Sequence, residues 1–194
     1  MKLDGVPMVA NSMGGYLAMR MCMKYPPCVT RLVNLHSPGL PTPRMYALHA
    51  AIRAPGGEAL LQALIARDPE NWAFSNVHYW DETLKSREEA RTYGAPLATP
   101  EGRRAFARHL RDTLSVRGMR ALAEELRARD GRFPIPLLFV YARRDPMVPP
   151  AVGERMAAMV PGAPLVWLDE GSHFAHVDAT ERFLEVALPF LEAR

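Results

Sequence analysis

Four short, mainly apolar runs along the chain predict buried β-strands. They cover residues 6–10, 31–39, 133–145 and 164–170. Because these runs lack the polar alternation of a strand with one solvent-facing side, both faces of each strand are expected to be buried. Helix-like segments separate the runs, and this order predicts an α/β fold with a parallel sheet covered by helices on both faces.

Two helices follow from local signals. Residues 14–25 are predicted to form a helix that stops at a Pro-Pro pair. In the last helix, Asp178 and Glu181 have the spacing of a capping box, and Pro189 is expected to bend the final turn. Its apolar residues recur at helical spacing: Phe183, Val186, Ala187 and Phe190.

A long middle segment shows no strand signal. It contains helical pieces, such as one opened by Pro100 with Phe106, Leu110 and Leu114 on one face. We therefore expect three parts: the beginning of the sheet core at 1–40, a helical insertion at 41–132 and the rest of the core at 133–194.

Composition and charge exclude some classes of function. The chain has 194 residues, 48% of them hydrophobic, which is enough for one buried core. Its net charge of +3 is mild, and the nine arginines of residues 99–132 alternate with five acids, as on a solvated helix face. We therefore expect no nucleic-acid partner.

Cysteine usage and hydropathy add two further expectations. Cys22 and Cys28 provide neither a disulfide framework nor the spacing of metal ligands. No charged leader precedes an apolar segment, and no apolar run approaches the roughly 18 residues of a membrane span. We expect a cytoplasmic protein with no membrane contact, no metal and no cofactor.

The first candidate for chemistry is Ser12, within the stretch VANSMGGYLAMR. It lies where the first predicted strand turns into the first helix, and its neighbours Ala10, Gly14 and Gly15 are small. Such a sharp turn lifts the hydroxyl clear of the sheet and places it at a helix N-terminus, where developing negative charge is stabilised.

Two further candidates follow later strands. A serine hydroxyl needs a base to accept its proton, and an imidazole needs an acceptor on its other nitrogen. Asp145 lies just past the third strand run and His173 just past the fourth. Since α/β sheets place their chemistry beyond the carboxyl ends of the strands, Ser12, Asp145 and His173 are the candidate catalytic residues.

Other residues remain alternatives. His176 is a second candidate base, and His36 is expected either to contact substrate or to be a hydrogen-bonded structural histidine. Asp169 and Glu170 are rival acids, although they precede His173 too closely to orient it easily. The remaining histidines lie in the insertion without a serine or acid at a suggestive spacing: His49, His78 and His109.

The sequence Asn11-Ser12-Met13-Gly14-Gly15 resembles the nucleophile elbow of the α/β-hydrolase superfamily, small-x-nucleophile-x-small. Ala10 stands where that pattern usually has glycine. The order serine, aspartate, histidine also matches the superfamily. The resemblance implies that Ser12 attacks a carbonyl, that His173 transfers the proton and that Asp145 orients the imidazolium.

The resemblance also implies further site residues. The amide of Met13, next to the nucleophile, would be one oxyanion donor. The other expected contributors to oxyanion or substrate binding are Asn11, Trp72, Trp80, Met147 and Phe174. The insertion would be a lid, and its aromatic residues are expected either to cover an apolar pocket or to form the core of that subdomain.

Within the superfamily, Asn before the serine and Met-Gly-Gly after it resemble the lid-bearing group. That group includes carbon–carbon bond hydrolases of ring-cleavage products, simple esterases and cofactor-free haloperoxidase-like enzymes. A serine nucleophile argues against dehalogenase or epoxide hydrolase chemistry. We expect a serine hydrolase acting on a small-molecule ester or related carbonyl; the alternatives are a haloperoxidase-like enzyme and a non-catalytic, truncated remnant.

The resemblance covers nearly all of the chain but not a whole family member. Members of the superfamily have several strands and helices before the elbow, and a loop there supplies the second oxyanion amide. We expect this chain to lack that N-terminal part of the fold. The first strand would then present an unpaired apolar edge, and we expect a second copy in a homodimer, or another chain, to cover it.

Overall fold

A computed structural model describes residues 5–113 and 115–193. It contains one parallel sheet of four strands in the order β1-β2-β3-β4. The strands are β1 (Val6–Asn11), β2 (Val29–Leu35), β3 (Leu137–Ala142) and β4 (Leu165–Leu168). The predicted parallel sheet is confirmed, although β2, β3 and β4 end before the polar and proline residues at the ends of their apolar runs.

Ten α-helices lie within the described residues. They are α1 (Met13–Lys24), α2 (Pro43–Arg53), α3 (Gly57–Arg67), α4 (Pro69–Asn76), α5 (Arg87–Gly94), α6 (Pro100–Thr113), α7 (Val116–Ala128), α8 (Pro150–Met159), α9 (Ala175–Asp178) and α10 (Thr180–Glu192). Short 3₁₀ turns occupy Pro26–Cys28, Glu82–Leu84 and Pro96–Ala98. None of the helices in the described part of the chain is long and apolar enough to cross a bilayer.

Helices cover both faces of the sheet, as predicted. On one face, Val33 of β2 and Val140 of β3 belong to a buried apolar cluster that includes Phe183 of α10. On the other face, the ring of Tyr141 lies so close to Gly153 of α8 that a β-carbon there would be 2.8 Å from it. All six residues of β3 are buried, which explains why its sequence has no polar alternation.

The chain forms two compact units. The sheet unit contains the sheet and the described residues up to Leu40 and from Met119, and the helical unit is Pro41–Gly118. The predicted insertion ran to residue 132, but α7 from Met119 onward belongs to the sheet unit. Its apolar stripe is fully buried: Met119, Leu122 and Leu126.

The described residues of the helical unit contain helices and no strand. Several of its helices begin at side-chain caps, among them the helix after Thr42, whose hydroxyl accepts a hydrogen bond from the amide of Met45 at 3.3 Å. Arg111 of α6 donates to Glu58 of α3 at 2.7 Å and so links these two helices. Leu114, predicted to lie on an apolar face of α6, is outside the described residues.

The predicted capping box at the last helix is wrong. Ala179 is the N-cap residue of α10 and makes no side-chain cap. Asp178 instead ends α9, and its carboxylate accepts a hydrogen bond from the amide of Ser172 at 3.2 Å. The Asp178 carboxylate therefore accepts its hydrogen bond from an amide of the preceding loop and not from an amide in the first turn of α10.

Strand β1 forms one edge of the sheet and pairs with β2. Val6 and Val9 on this strand are 42% and 45% exposed. The expected partner that would cover this edge stays a prediction.

The contact between α1 and β2 can be tested with two neighbouring glycines. A β-carbon at Gly15 would lie 2.6 Å from Asn34 Oδ1 and 3.0 Å from the carbonyl oxygen of Ala10, whereas one at Gly14 would meet nothing within 4 Å. We expect Gly15→Ala to lower the free energy of unfolding by about 1–3 kcal/mol because of overpacking. Gly14→Ala should leave it unchanged or raise it by up to about 1 kcal/mol. Urea unfolding of both variants checks this, and equal effects would contradict the close packing.

Candidate active site

Ser12 forms the whole turn between β1 and α1. The strand ends at Asn11 and the helix begins at Met13. Ser12 has φ 53° and ψ −123°, a backbone conformation that costs a non-glycine residue on the order of 1–3 kcal/mol. Its amide donates to the carbonyl of Leu35 at 2.7 Å, so the turn is held to the end of β2. The strained turn predicted for a nucleophile elbow is therefore present at this residue.

Small neighbours make this turn sterically feasible. Helix α1 comes so close to β2 that Gly15 has no room for a β-carbon beside Asn34. The side-chain amide of Asn34 also donates to the carbonyl of Gly15 at 3.4 Å. The hydroxyl of Ser12 makes no hydrogen bond to any described residue. It stands at the N-terminus of α1, where the positive end of the helix dipole favours negative charge.

Asp145 lies in the loop that follows β3, and its carboxylate is fully buried. Its Oδ1 accepts hydrogen bonds from the amides of Met147 at 2.7 Å and Val148 at 2.9 Å. Its Oδ2 lies 2.7 Å from Nδ1 of His173. Burial favours a higher pKa for Asp145, but the hydrogen bond and charge of His173 and the backbone donors outweigh it and hold this pKa below its ordinary value.

His173 lies in the loop that follows β4, and its side chain is buried. The loop is fixed by its own polar groups: the hydroxyl of Ser172 accepts from the amide of Phe174 at 3.1 Å, and the amide of Ser172 donates to Asp178. Because an ionised Asp145 can only accept, Nδ1 of His173 carries the proton. In the neutral ring this tautomer leaves a lone pair on Nε2, the atom that can act as a base.

His36 is another buried polar side chain at this edge of the sheet. Its Nε2 accepts a hydrogen bond from the amide of Ala142 at 2.7 Å, so its proton is on Nδ1. Its ring centre lies 5.6 Å from that of His173. Burial lowers the pKa of His36 to about 3, which keeps the ring neutral at ordinary pH.

His36, Asp145 and His173 place nitrogen and oxygen atoms within 4.8 Å of one another, a spacing that could suit a metal ion. Their hydrogen bonds argue against that use. Nε2 of His36 is occupied by the amide of Ala142, its Nδ1 is protonated, and Nδ1 of His173 is bound to Asp145. Asp145 and His173 are thus bound to each other, and His36 is bound to the backbone of β3, while its buried Nδ1 has no hydrogen-bond partner among the described residues.

The structure thus joins two of the three candidate catalytic residues directly, Asp145 and His173. Ser12 follows the carboxyl end of β1 at the same edge of the sheet. Among the rivals, Asp169 pairs with Arg143 at 2.8 Å and is 84% exposed, so it does not orient His173. His176 is exposed on α9.

The other candidate residues have different surroundings. Asn11 ends β1, and its buried Oδ1 has no hydrogen-bond partner among the described residues. Met147 supports Asp145 through its amide, and the ring of Phe174 stands edge-on to that of His173 at 5.4 Å. Met13 begins α1. Trp72 and Trp80 belong to the helical unit, and a role for them in substrate binding stays a prediction. The same unit contains His49, His78 and His109, for which the sequence predicts no role in the site.

Sequence reasoning missed two contributors to this arrangement. Ser172 and Asp178 fix the loop that carries His173, whereas the sequence predicts a helix cap at Asp178. The signal that could have found Ser172 is its place beside the histidine after a strand end. Nothing local could have indicated the bond between His36 and Ala142, which are 106 residues apart.

Comparison with known proteins identifies the family. The family model of the alpha/beta hydrolase family matches residues 7–186. The chain belongs to the α/β-hydrolase family.

Two curated members of the family are similar to the chain. A 2-hydroxy-6-oxononadienedioate/2-hydroxy-6-oxononatrienedioate hydrolase of Burkholderia vietnamiensis is 31% identical over 187 residues, which is 95% of this chain and 61% of that protein. A hydrolase of the same name from a Pseudomonas species is 27% identical over 194 residues, 95% of this chain and 62% of that protein. The chain therefore spans about three fifths of the length of these relatives.

Solved structures agree on the fold. A 2-hydroxy-6-oxo-6-phenylhexa-2,4-dienoate hydrolase from a Rhodococcus species matches with a TM-score of 0.73 and 22% identity over 98% of this chain and 65% of that chain. An esterase from Exiguobacterium antarcticum matches with a TM-score of 0.66 and 18% identity over 99% of this chain and 68% of that chain. These likenesses establish the α/β-hydrolase fold.

The buried neutral His36 predicts a specific dependence of stability on pH. Its pKa is about 3 in the folded protein and about 6.5 in an unfolded chain. Between these values the unfolded state binds a proton that the folded state does not, so the free energy of unfolding falls as the pH is lowered from about 6.5 towards 3. The expected slope from this residue is at most about 1.4 kcal/mol per pH unit.

Urea unfolding at several pH values between 7 and 4 checks this expectation. His36→Gln should remove this part of the slope, while His109→Asn, at an exposed position of α6, should keep it. Asp145, whose lowered pKa acts in the same direction, contributes to all three proteins, because its bond to His173 is retained in each of them. A slope that is the same in His36→Gln and the parent would contradict a neutral, buried His36.

Proposed function

We propose that this chain is a serine hydrolase with Ser12 as nucleophile, His173 as general base and Asp145 as the residue that orients the imidazole. The observation that carries the proposal is the buried 2.7 Å hydrogen bond between His173 and Asp145, at the sheet edge that also carries Ser12 in its strained turn. Membership of the α/β-hydrolase family supports this assignment.

We assign each group a role that is consistent with the geometry. Asp145 is ionised, and its other oxygen is occupied by two amides, so it accepts one further hydrogen bond, from Nδ1 of His173. That bond fixes the tautomer in which Nε2 of the neutral ring can accept the proton of Ser12, and it stabilises the imidazolium that forms. The amide of Met13, in the first turn of α1, is proposed to donate to the oxyanion of the tetrahedral intermediate.

We further propose a carbon–carbon bond as the target, because both curated relatives are named as hydrolases of 2-hydroxy-6-oxononadienedioate. In such a compound a C6 ketone is conjugated to an enol at C2. When the enol becomes a ketone and C5 takes up the proton, the electrons of the C5–C6 bond can be delocalised onto the C2 oxygen. Addition of the Ser12 hydroxyl to C6, with its proton passing to His173, then allows C5–C6 to break. The C5 fragment takes up that proton and leaves as a dienol, and water removes the acyl group that remains on Ser12.

Covalent labelling tests the catalytic assignment. We expect a fluorophosphonate to label Ser12 of the folded chain, because only an activated serine reacts with this reagent. Ser12→Ala should not be labelled, and His173→Ala should react at least about 100-fold more slowly for lack of a general base. Peptide mass mapping locates the label, and His109→Asn serves as the matched histidine control.

Two results would argue against the assignment. Equal labelling of native and heat-denatured protein would mean that Ser12 has no activated environment. Absence of labelling in a folded protein would favour the alternative of a non-catalytic member of the family.

A substrate comparison tests the bond type. The probes are 2-hydroxy-6-oxononadienedioate, 2-hydroxy-6-oxo-6-phenylhexa-2,4-dienoate and p-nitrophenyl acetate. We expect the highest kcat/KM for the nonadienedioate, whose turnover is measured as loss of the dienol absorbance. Ser12→Ala should show no turnover. Turnover of the ester alone would make the protein an esterase and would contradict the carbon–carbon assignment.

A further inference from the structure

The side chain of His36 extends the pairing of β2 and β3 beyond the end of β2. The His36 amide donates to the carbonyl of Val140 at 3.0 Å, as in the regular sheet. The next amide of β3 on this side is that of Ala142, and it donates to Nε2 of His36 at 2.7 Å. An imidazole nitrogen therefore takes the place that a backbone carbonyl would have in a longer strand.

The backbone of His36 is turned to make this contact. Its φ is +51°, in the left-handed region that costs most residues about 1–2 kcal/mol. Its side chain is fully buried, and the neighbouring carbonyl of Ser37 accepts a hydrogen bond from the hydroxyl of Tyr141 at 2.7 Å. Two contacts thus join the residues after β2 to the end of β3.

These contacts lie at the base of the loop that carries Asp145. Ala142 is the last residue of β3, and the Asp145 amide donates to its carbonyl at 3.4 Å. The amide of the same Ala142 is held by His36. The point at which the acid loop leaves the sheet is therefore fixed from β2.

The ring of His36 also lies beside the ring of His173, with centres 5.6 Å apart and planes inclined by 37°. It is neutral, because burial lowers its pKa to about 3, so it brings no positive charge next to the imidazolium that catalysis would create. The lone pair of Nε2 is used by Ala142, and the ring is thus held in one tautomer and one orientation.

We propose that His36 is a positioning residue for the Asp145–His173 pair. By accepting the Ala142 hydrogen bond it sets where the acid loop begins, and through its ring it supports the ring of His173. The consequence for catalysis rests on the proposed hydrolase function, whereas the effect on the pair itself does not.

Two substitutions separate the acceptor from the rest of the residue. His36→Gln places a side-chain oxygen near the position of Nε2, so it can still accept from Ala142. His36→Asn is too short to reach that amide, but asparagine tolerates a positive φ better than most residues. If the hydrogen bond from the Ala142 amide positions the pair, His36→Gln should preserve the bond between Asp145 and His173. His36→Asn should lose that bond, although asparagine fits the positive φ better than glutamine does.

The readout is the low-field proton resonance of the His173 Nδ1–H group, measured by NMR at neutral pH. This signal reports the bond to Asp145 whether or not Ser12 reacts. We expect it in the parent protein and in His36→Gln, and we expect it to weaken or disappear in His36→Asn. The rate of fluorophosphonate labelling should fall by about 10- to 100-fold in His36→Asn, the effect of misplacing a catalytic group by about 1 Å, and stay close to the parent rate in His36→Gln.

Several results would overturn the proposal. One is an unchanged His173 Nδ1–H signal in folded His36→Asn. Another is an equal loss of this signal in His36→Gln and His36→Asn when the two variants have the same urea midpoint. The parent protein alone also tests it, even if the variants do not fold: the ¹⁵N shifts of His36 must show the Nδ1–H tautomer, and an Nε2–H tautomer would rule out the Ala142 bond. A normal His173 signal with no labelling of any protein would instead contradict the hydrolase function.

Discussion

Parallel pairing of four strands is the constraint on which the site depends, because it brings every carboxyl end to one edge of the sheet. Ser12 follows β1, His36 follows β2, Asp145 follows β3 and His173 follows β4. No single segment of the chain could hold these groups together. The sheet does so with its own hydrogen bonds, and the side chains of His36, Asp145 and His173 are buried there.

The two strained residues of the site are neighbours. Asn11 pairs with Leu35 in the sheet, and Ser12 and His36, the residues that follow them, both have positive φ. Each strained turn is held by a backbone partner on the next strand: Leu35 for Ser12 and Val140 for His36. The free energy stored in these turns is therefore balanced by regular sheet hydrogen bonds, and it serves to direct two side chains to the edge where the chemistry is proposed.

How far the sequence predicts this molecule depends on whether a feature is local. The strands and the turn at Ser12 follow from apolar runs and small residues, and Asp145 and His173 follow from the rule that strand ends carry the chemistry. The role of Asp178 was mistaken because the amide of Ser172 competes with the helix start for its carboxylate. The sequence does not predict the boundary between the units at Met119, because the apolar residues of α7 have the same helical spacing in either unit. A sequence pattern also cannot show which backbone amide donates to the side chain of His36.

The helical unit has a consequence for how the protein folds. It is inserted between β2 and β3, which are paired in the middle of the sheet, so the bond between His36 and Ala142 closes a loop over 106 residues. Closing a flexible loop of that length costs conformational entropy before any contact repays it, and non-local parallel pairing is intrinsically slow. If the insertion collapses first, it shortens the loop. The segment that separates the two central strands in sequence would then hasten their meeting.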